Sequence, residues 1–304
     1  MATIPGYGGG TSWRTSVRIA RSSGPEHRSA VAAIVRRHDR DRFQTALFAP
    51  AAKREALLAL YAFNYEIARV RESVTEPALG HIRLEWWRET IAAAYDGAPP
   101  RRHPIAEALT EVIGAFAPAR EHFDRLLEAR AADLRDEPPA SLAALEDYAE
   151  GTSSRLVNLA LEVLGARDPA AAAAGRHAGI AYALAGMLRA LPSIARTGRR
   201  IIPAEIAARC GLGPDDWRAP RGTHALRAAV AEIAAAAASR LSAARMLRAS
   251  VPGPALAALL PAVIAARALE RLAGARHDPF DPALARADPW QSWRLALAAV
   301  RHRF

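Results

Sequence analysis

The stretch Leu57–Glu72, LLALYAFNYEIARVRE, decides the fold, because its side chains recur with the period of an α-helix. One apolar stripe repeats at intervals of three and four residues and consists of Leu60, Phe63, Ile67, Val70 and, just beyond the segment, Val74. A second, less apolar stripe consists of Tyr61, Tyr65, Ala68 and Glu72. A helix with two inward faces borders either a cavity or a second neighbouring helix, and the pattern alone favours the neighbour.

The helical period continues along the rest of the chain, whereas strict alternation of apolar and polar residues is almost absent. We predict helices near residues 27–38, 50–74, 78–96, 103–116, 119–135, 141–165, 168–191, 203–210, 222–250, 253–273 and 288–301. Turn signals such as Asp96-Gly97 and Asp168-Pro169 separate them. Residues 1–26 are predicted to be a flexible N-terminal lead-in, and residues 27–304 a single all-α domain.

The composition narrows the function classes. The 304 residues carry a formal net charge of +10, which favours anionic partners such as acidic lipid surfaces or diphosphates. These charges are interleaved with Glu and Asp, and no zinc-finger or RNA-motif spacing occurs, so we expect no nucleic-acid partner. Cys210 is the single cysteine, which excludes an intramolecular disulfide and fits a reducing compartment. No run approaches the ~18 uninterrupted apolar residues of a membrane span.

Together with a second stretch, Ile180–Pro203, the opening segment carries a family resemblance. YAFNYEIARVRE resembles the segment of the squalene/phytoene synthases that reads Tyr-Ala-Phe and then, after a few residues, Asp-Asp-x-x-Asp. In that family the aspartates share Mg²⁺ ions that clamp a diphosphate leaving group. The corresponding positions here are Ala68, Arg69 and Glu72. One carboxylate beside the guanidinium groups of Arg69 and Arg71 is a poor magnesium site.

The family's second motif, Asn-x-Leu-Arg-Asp with a further acid four residues on, is similar to Gly186–Ala190. Ala190 and Ile194 stand at its two acid positions. Pro192 falls between them and lacks a backbone N–H, so we expect the helix to end or kink there. We therefore assign no catalytic residue and expect no bound metal. The vestigial motif positions are Ala68, Arg69, Glu72, Ala190 and Ile194.

Other family features are retained. Tyr148 opens YAEGTSSRLVNLALEVLG, which resembles the family's tyrosine-containing helix, and Asp133 matches an acid in the preceding helix. Arg189 and Arg199 match arginines that face the diphosphate, and arginine can hold phosphate without a metal. The candidate lining of a substrate or anion pocket is Tyr61, Tyr65, Arg69, Glu72, Asp133, Tyr148, Arg189 and Arg199. Each of these residues taken singly also fits a structural ion pair or a packing role.

Several blocks of sequence between Asp39 and Arg294 resemble one branch of this family, the assembly factors of respiratory complex I, and they occur in the same order as in that branch. The resemblance implies an all-α isoprenoid-synthase bundle with a central cavity. It also implies a non-catalytic role in the assembly of complex I (NADH dehydrogenase), with assembly intermediates as partners and no cofactor. The expected location is the cytoplasm, with peripheral attachment to the inner face of the cytoplasmic membrane left open, or the mitochondrial matrix in a eukaryote.

Two alternatives stay open at this point. The first is a head-to-head prenyl-diphosphate transferase acting on farnesyl or geranylgeranyl diphosphate. Its arginines Arg69, Arg71, Arg189 and Arg199 would grip the diphosphate, and Glu72 or Asp133 would hold residual Mg²⁺. The second is an isoprenoid- or lipid-binding protein that uses the cavity without chemistry.

Two pairs of tryptophans carry further expectations. Of Trp86 and Trp87, we expect one in the core and the other half exposed. Trp290 and Trp293 lie three residues apart, as neighbours on one helix face do, and we expect them to anchor the last helix.

Overall fold

The computed structural model describes residues 25–217 and 221–304, and every regular element in these two ranges is helical. The α-helices are α1 (Pro25–His38), α2 (Arg40–Ala46), α3 (Ala51–Ala68), α4 (Pro77–Tyr95), α5 (Pro104–Phe116), α6 (Arg120–Ala131), α7 (Leu142–Ala149), α8 (Arg155–Leu164), α9 (Pro169–Arg196), α10 (Ala204–Cys210), α11 (His224–Met246), α12 (Pro261–Gly274), α13 (Pro282–Ala285) and α14 (Gln291–Val300). A π-helical segment, Glu150–Ser154, joins α7 to α8. Short 3₁₀ turns occupy Arg71–Ser73, Ala132–Leu134, Pro214–Trp217, Arg248–Ser250 and Gly253–Ala258.

The predicted all-α class is confirmed, and most predicted helices match observed ones to within a few residues. Two short helices, α2 and α13, were not predicted, because each is too short to show a full helical period. Residues 1–24 of the predicted lead-in lie outside the described residues.

Helix α3 contains the opening segment. Its apolar stripe is buried as predicted, with Leu60, Phe63 and Ile67 no more than 1% exposed. Val74, the last predicted member, lies beyond the helix in extended backbone and is only half-buried. The prediction that this helix runs to residue 74 is wrong at its end. The backbone N–H of Val70 bonds to the carbonyl of Ile67, three residues back, so the α-helical pattern tightens after Ala68. Glu72 consequently lies in the 3₁₀ turn that follows α3.

Helix α9 passes through Pro192 without ending, so the expectation of a helix end at this proline is wrong. The proline removes one hydrogen bond to the carbonyl of Leu188, but α9 is held by packing against α11 and α12. Leu188 and Leu191 are buried in that packing. The backbone at Ala190 and Ile194 therefore keeps its helical geometry, and the departure from the family motif lies in the side chains.

Helix α9 is also central to the bundle. The side chain of Asp168 caps its start by accepting the N–H groups of Ala170 and Ala171. Among the described helices, α9 is the one long and apolar enough by composition to cross a membrane, with a mean hydropathy of 1.3 in its most apolar window. In the structure, 44% of that window is buried inside the bundle.

The tryptophan pairs differ in outcome. Trp87 is 5% exposed and meets the ring of Phe63 edge-on at 5.2 Å, while Trp86 is half-buried, as expected. The expectation for Trp290 and Trp293 is wrong, since they are 61% and 71% exposed. Leu295 is buried and holds α14 to the core instead. Successive residues rotate by about 100° around a helix, so Leu295 points about 160° away from the exposed Leu297.

Candidate functional site

The two motif helices are joined by an arginine that belongs to neither of them. The guanidinium carbon of Arg42, in α2, lies 4.9 Å from the ring centroid of Tyr182 on α9 and 5.9 Å from that of Tyr61 on α3. Its Nη1 donates to Oδ2 of Asp39 at 2.8 Å. The Arg42 side chain is only 12% exposed. A cation balanced by one carboxylate and two aromatic faces thus occupies the space between the helices at this level.

The protonation states of this group follow from burial and charge. Burial raises the pKa of Tyr61 and of Tyr182, although the positive charge of Arg42 works in the opposite direction. Burial also opposes the charge of Arg42, but Asp39 together with Tyr182 and Tyr61 raises the arginine pKa. At neutral pH the arginine is charged and both phenols are neutral.

Asp133 is the centre of a second polar group. It lies in the 3₁₀ turn after α6 and is 8% exposed. The hydroxyl of Tyr148 donates to its two carboxylate oxygens at 2.8 and 2.9 Å. Arg130 donates to Oδ2 at 3.2 Å, and Arg199 donates to Oδ1 at 3.1 Å. We call these four residues the Asp133 cluster. Three predicted candidates, Asp133, Tyr148 and Arg199, are thereby brought together.

The Asp133 cluster is electrostatically coupled to Arg42. Burial disfavours the charge of Arg130, but Tyr148 and Asp133 raise its pKa, and the positive charge of Arg42 lowers it. Burial raises the pKa of Tyr148 to about 12. The two buried arginines therefore lie in each other's electric field and each relies on its own aspartate for compensation.

Arg189, a further predicted candidate whose side chain is 48% exposed, pairs with a different acid. It donates to Oδ2 of Asp41 at 2.9 Å, and Tyr182 donates to the same oxygen at 3.4 Å. The side-chain amide of Gln291 donates to the other oxygen of Asp41 at 3.0 Å. Asp41 thus ties α9 to the start of α14, and Arg189 and Arg199 do not converge on one anion.

The remaining candidates lie towards the surface. The ring of Tyr65 stacks on His38 with centroids 4.4 Å apart, and the guanidinium carbon of Arg69 lies 5.5 Å from the Tyr65 centroid. Arg69 is 47% exposed and pairs with Glu66 at 3.8 Å. Glu72 is exposed. Within the described part of the chain, no hydrogen bond, ion pair or ring contact joins these residues to the Asp133 cluster.

The residues present do not fit the magnesium centre that the family resemblance implies. Mg²⁺ requires several oxygen ligands in octahedral geometry, including carboxylates. Ala190 and Ile194 offer no side-chain oxygen, Glu72 is exposed, and the oxygens of Asp133 are engaged by Arg130, Tyr148 and Arg199. Among residues 25–217 and 221–304, no three His, Cys, Asp or Glu side chains are grouped to hold a metal ion.

A cleft of about 830 Å³ opens on the outer side of Arg189, between α2, the second half of α9, α12 and the segment up to α14. Apolar side chains such as Leu188, Ile264 and Leu272 line part of it. Charged lining residues are Arg40, Arg189, Arg196, Arg267, Arg271, Arg286 and Arg294, with Asp41, Asp281 and Asp288. Of the predicted pocket candidates, Arg189 alone lines this cleft. The mixture of apolar and arginine side chains makes the cleft suitable for a molecule with an apolar body and an anionic end.

Arg42 and Arg130 were missed by sequence reasoning. Each stands three residues from the aspartate with which it pairs, Asp39 and Asp133, and that spacing places both members of a pair on one helix face. The spacing was a usable signal. It was obscured because Lys53 is the single lysine among 41 basic residues, so arginines occur throughout the sequence.

Comparison with known proteins gives consistent results. The family model described as squalene/phytoene synthase matches residues 35–297. Assembly factor 6 of NADH dehydrogenase (ubiquinone) complex I from Bos taurus is 30% identical over 271 residues, which cover 89% of this chain and 81% of that protein. The presqualene diphosphate synthase of Rhodopseudomonas palustris is 27% identical over 196 residues, or 64% of this chain and 69% of that enzyme.

The fold has a close counterpart among solved structures. A crystal structure of a dehydrosqualene synthase in complex with ligand superposes with a TM-score of 0.80 at 17% identity, covering 91% of this chain and 96% of that one. At this level of identity the likeness concerns the fold. The expected isoprenoid-synthase bundle is confirmed.

Proposed function

This chain belongs to the squalene/phytoene synthase family, and we propose that it acts as a non-catalytic factor in the assembly of respiratory complex I. The observation that carries the non-catalytic part is the Asp133 cluster, in which the interior acid is saturated by two guanidinium groups and a phenol. The similarity to the complex I assembly factor, which extends over 81% of that protein, supports the assembly role.

The arrangement of charges opposes prenyl transfer. Release of a diphosphate requires cations that are free to stabilise the developing negative charge. Arg130 and Arg199 are held by Asp133, and Arg189 is held by Asp41. A diphosphate could recruit Arg130 or Arg199 only by removing a partner from the buried carboxylate of Asp133, which costs several kcal/mol in a low-dielectric interior. Arg189 would have to leave its half-exposed pair with Asp41.

The proposed partners are complex I assembly intermediates, which a rigid helical surface would hold while subunits are added. The proposed location is the cytoplasm at the inner face of the cytoplasmic membrane, or the mitochondrial matrix in a eukaryotic cell. The net charge of +10 supports this placement, since the cytoplasmic leaflet is negatively charged.

Gene deletion and complementation test the assembly role. We expect deletion to lower the NADH:quinone oxidoreductase activity of membranes and the amount of assembled complex I on native gels, with succinate oxidation unchanged. The wild-type gene and a Glu72→Gln variant should both restore complex I, because Glu72 is exposed and holds no metal in this account. Normal complex I in the deletion strain would refute the assembly role.

Binding of an isoprenoid or another anionic lipid is a second candidate function, favoured by the cleft of about 830 Å³ with its apolar and arginine lining. Solvent extraction of the purified protein followed by mass spectrometry tests it. We expect one lipid class to co-purify in near-stoichiometric amount and to be lost from an Ala268→Trp variant, which places a bulky ring in the cleft. Protein that carries no lipid would exclude this candidate.

The competing assignment is a prenyl-diphosphate transferase, favoured by the similarity to presqualene diphosphate synthase over 64% of this chain. It requires Mg²⁺-dependent release of pyrophosphate from farnesyl or geranylgeranyl diphosphate, which the non-catalytic assignment forbids.

A further inference from the structure

The last helix, α14, carries an apolar stripe on its solvent side. Trp290, Trp293, Leu297 and Val300 follow one another at intervals of three, four and three residues and are 61%, 71%, 48% and 79% exposed. Leu295, on the opposite side of the helix, is fully buried. Core packing therefore explains only one side of α14. Four large apolar side chains exposed at helical spacing, two of them tryptophans, are uncommon on a protein surface without a binding role.

A second exposed apolar element lies beside the start of α14. The side chain of Gln291 donates to Gln44 of α2 at 2.8 Å, so the end of α2 lies against the first turn of α14. Leu47 and Phe48, which directly follow α2, are 46% and 39% exposed. These two exposed apolar residues thus lie three and four positions after Gln44, the residue that contacts the first turn of α14.

A cationic groove of about 440 Å³ runs along the same helix and includes Leu297 of the stripe. Its charged lining residues are Arg245, Arg248, Arg267, Arg294, Arg301 and Arg303, with Glu270 as the acid. Arg248, Arg301 and Arg303 are exposed, and none of them forms an ion pair with any residue in the described ranges. Three uncompensated guanidinium groups therefore adjoin the tryptophan stripe.

We propose that the α14 stripe and this groove form a docking surface for the anionic phospholipid headgroups of a membrane. Tryptophan favours the boundary between headgroups and acyl chains, and an amphipathic helix with this pattern lies in the plane of that boundary. The free guanidinium groups bind lipid phosphates bidentately. A membrane fits better than a protein partner because the unpaired charges, those of Arg248, Arg301 and Arg303, are all positive and adjoin aromatic side chains along an exposed helix. The inference deepens the peripheral placement proposed above and rests on it.

Sedimentation of the full-length protein with vesicles tests the surface separately from any effect on complex I. We expect binding to phosphatidylcholine vesicles that contain about one third phosphatidylglycerol, and little binding to phosphatidylcholine alone. A Trp293→Ser/Leu297→Ser variant should lower the partition coefficient roughly tenfold or more, since it removes two apolar side chains from the interface. An Arg248→Gln/Arg301→Gln/Arg303→Gln variant should lower it roughly fivefold per charge.

Matched control variants remove the same types of side chain from other parts of the surface, so they show whether binding depends on the α14 surface itself. Leu79→Ser/Ile82→Ser removes two exposed apolar side chains from α4, and Arg102→Gln/Arg135→Gln/Arg221→Gln removes three exposed arginines elsewhere. Both control variants should bind vesicles like the wild type.

Three results would overturn the proposal. One is equal binding to neutral and anionic vesicles, and another is wild-type binding by either α14 variant. The third is loss of a protein complex or of self-association in the serine variant while vesicle binding persists, which would make the surface a protein interface. Circular dichroism checks that each variant is folded. The arginine variant keeps the proposal testable if the serine variant misfolds.

Discussion

Replacement of Asp133 by Asn is the most informative single change, because it separates a structural acid from a catalytic one. The substitution keeps the size of the side chain and removes its charge. Asp133 is 8% exposed and accepts hydrogen bonds from Tyr148, Arg130 and Arg199. Without the carboxylate, the guanidinium of Arg130, which is 15% exposed, has no acidic partner at this position.

The magnitude follows from the burial of each partner. Removing one member of a buried ion pair typically costs 3–5 kcal/mol. Arg199 is 34% exposed, so solvent compensates part of its loss, and Asn still accepts a hydrogen bond from Tyr148. We therefore expect the free energy of unfolding to fall by about 2–3 kcal/mol, with a drop in Tm of roughly 5 °C.

Urea denaturation followed by far-UV circular dichroism measures this loss, with Asp136→Asn as the matched control. Asp136 lies three residues further on, is 78% exposed, and pairs with Arg71 at the surface. Its replacement should leave stability close to that of the wild type. A double variant, Arg130→Leu/Asp133→Leu, should lose less than the sum of the two single changes, because it leaves no buried charge. Unchanged or increased stability of Asp133→Asn would refute the structural role and point to an acid kept for activity.

Three further predictions concern α9 and the phenol of Tyr148. Gly179→Ala should destabilise the protein by about 1–3 kcal/mol, because the new Cβ would lie 2.5 Å from the backbone of Ser154. Gly186→Ala on the same helix is the control, since its Cβ meets no atom within 4 Å and the variant should be as stable as the wild type or more stable. Urea denaturation measures both changes. Pro192→Ala should raise the free energy of unfolding by about 1 kcal/mol, since it restores an N–H to a helix that already continues through this position; a loss of stability would contradict it. The pKa of Tyr148 is raised from 10.0 to about 12, so the unfolded chain loses this proton first and stability should fall as pH rises from about 10 towards 12. Tyr148→Phe should therefore flatten that part of a curve of Tm against pH. An unchanged slope would contradict this prediction.

Much of the helical architecture was predictable because the apolar period is visible in the sequence. Leu60, Phe63 and Ile67 had to share one buried face, and they do. Pro192 was misjudged because the loss of one backbone hydrogen bond is a local signal, while the packing of α9 between α11 and α12 is tertiary. Trp290 and Trp293 were misjudged because helix spacing places residues on one face without indicating whether that face is inward.

The candidate site was only partly predictable. Asp133, Tyr148 and Arg199 were named from the sequence, and the structure joins them through direct hydrogen bonds. The role of Arg42 depends on α2, whose 7 residues are too few to show a helical period, and on the approach of Tyr61 and Tyr182 from two distant helices. No local pattern carries that information.

Release of pyrophosphate tests the central claim most directly. Purified protein is incubated with farnesyl or geranylgeranyl diphosphate and Mg²⁺, with presqualene diphosphate synthase as the positive control. We expect no release above the rate without protein, because Arg130 and Arg199 are already paired with Asp133, and Arg189 with Asp41. Mg²⁺-dependent release that disappears in the Asp133→Asn variant, measured under conditions where that variant is folded, would contradict the account.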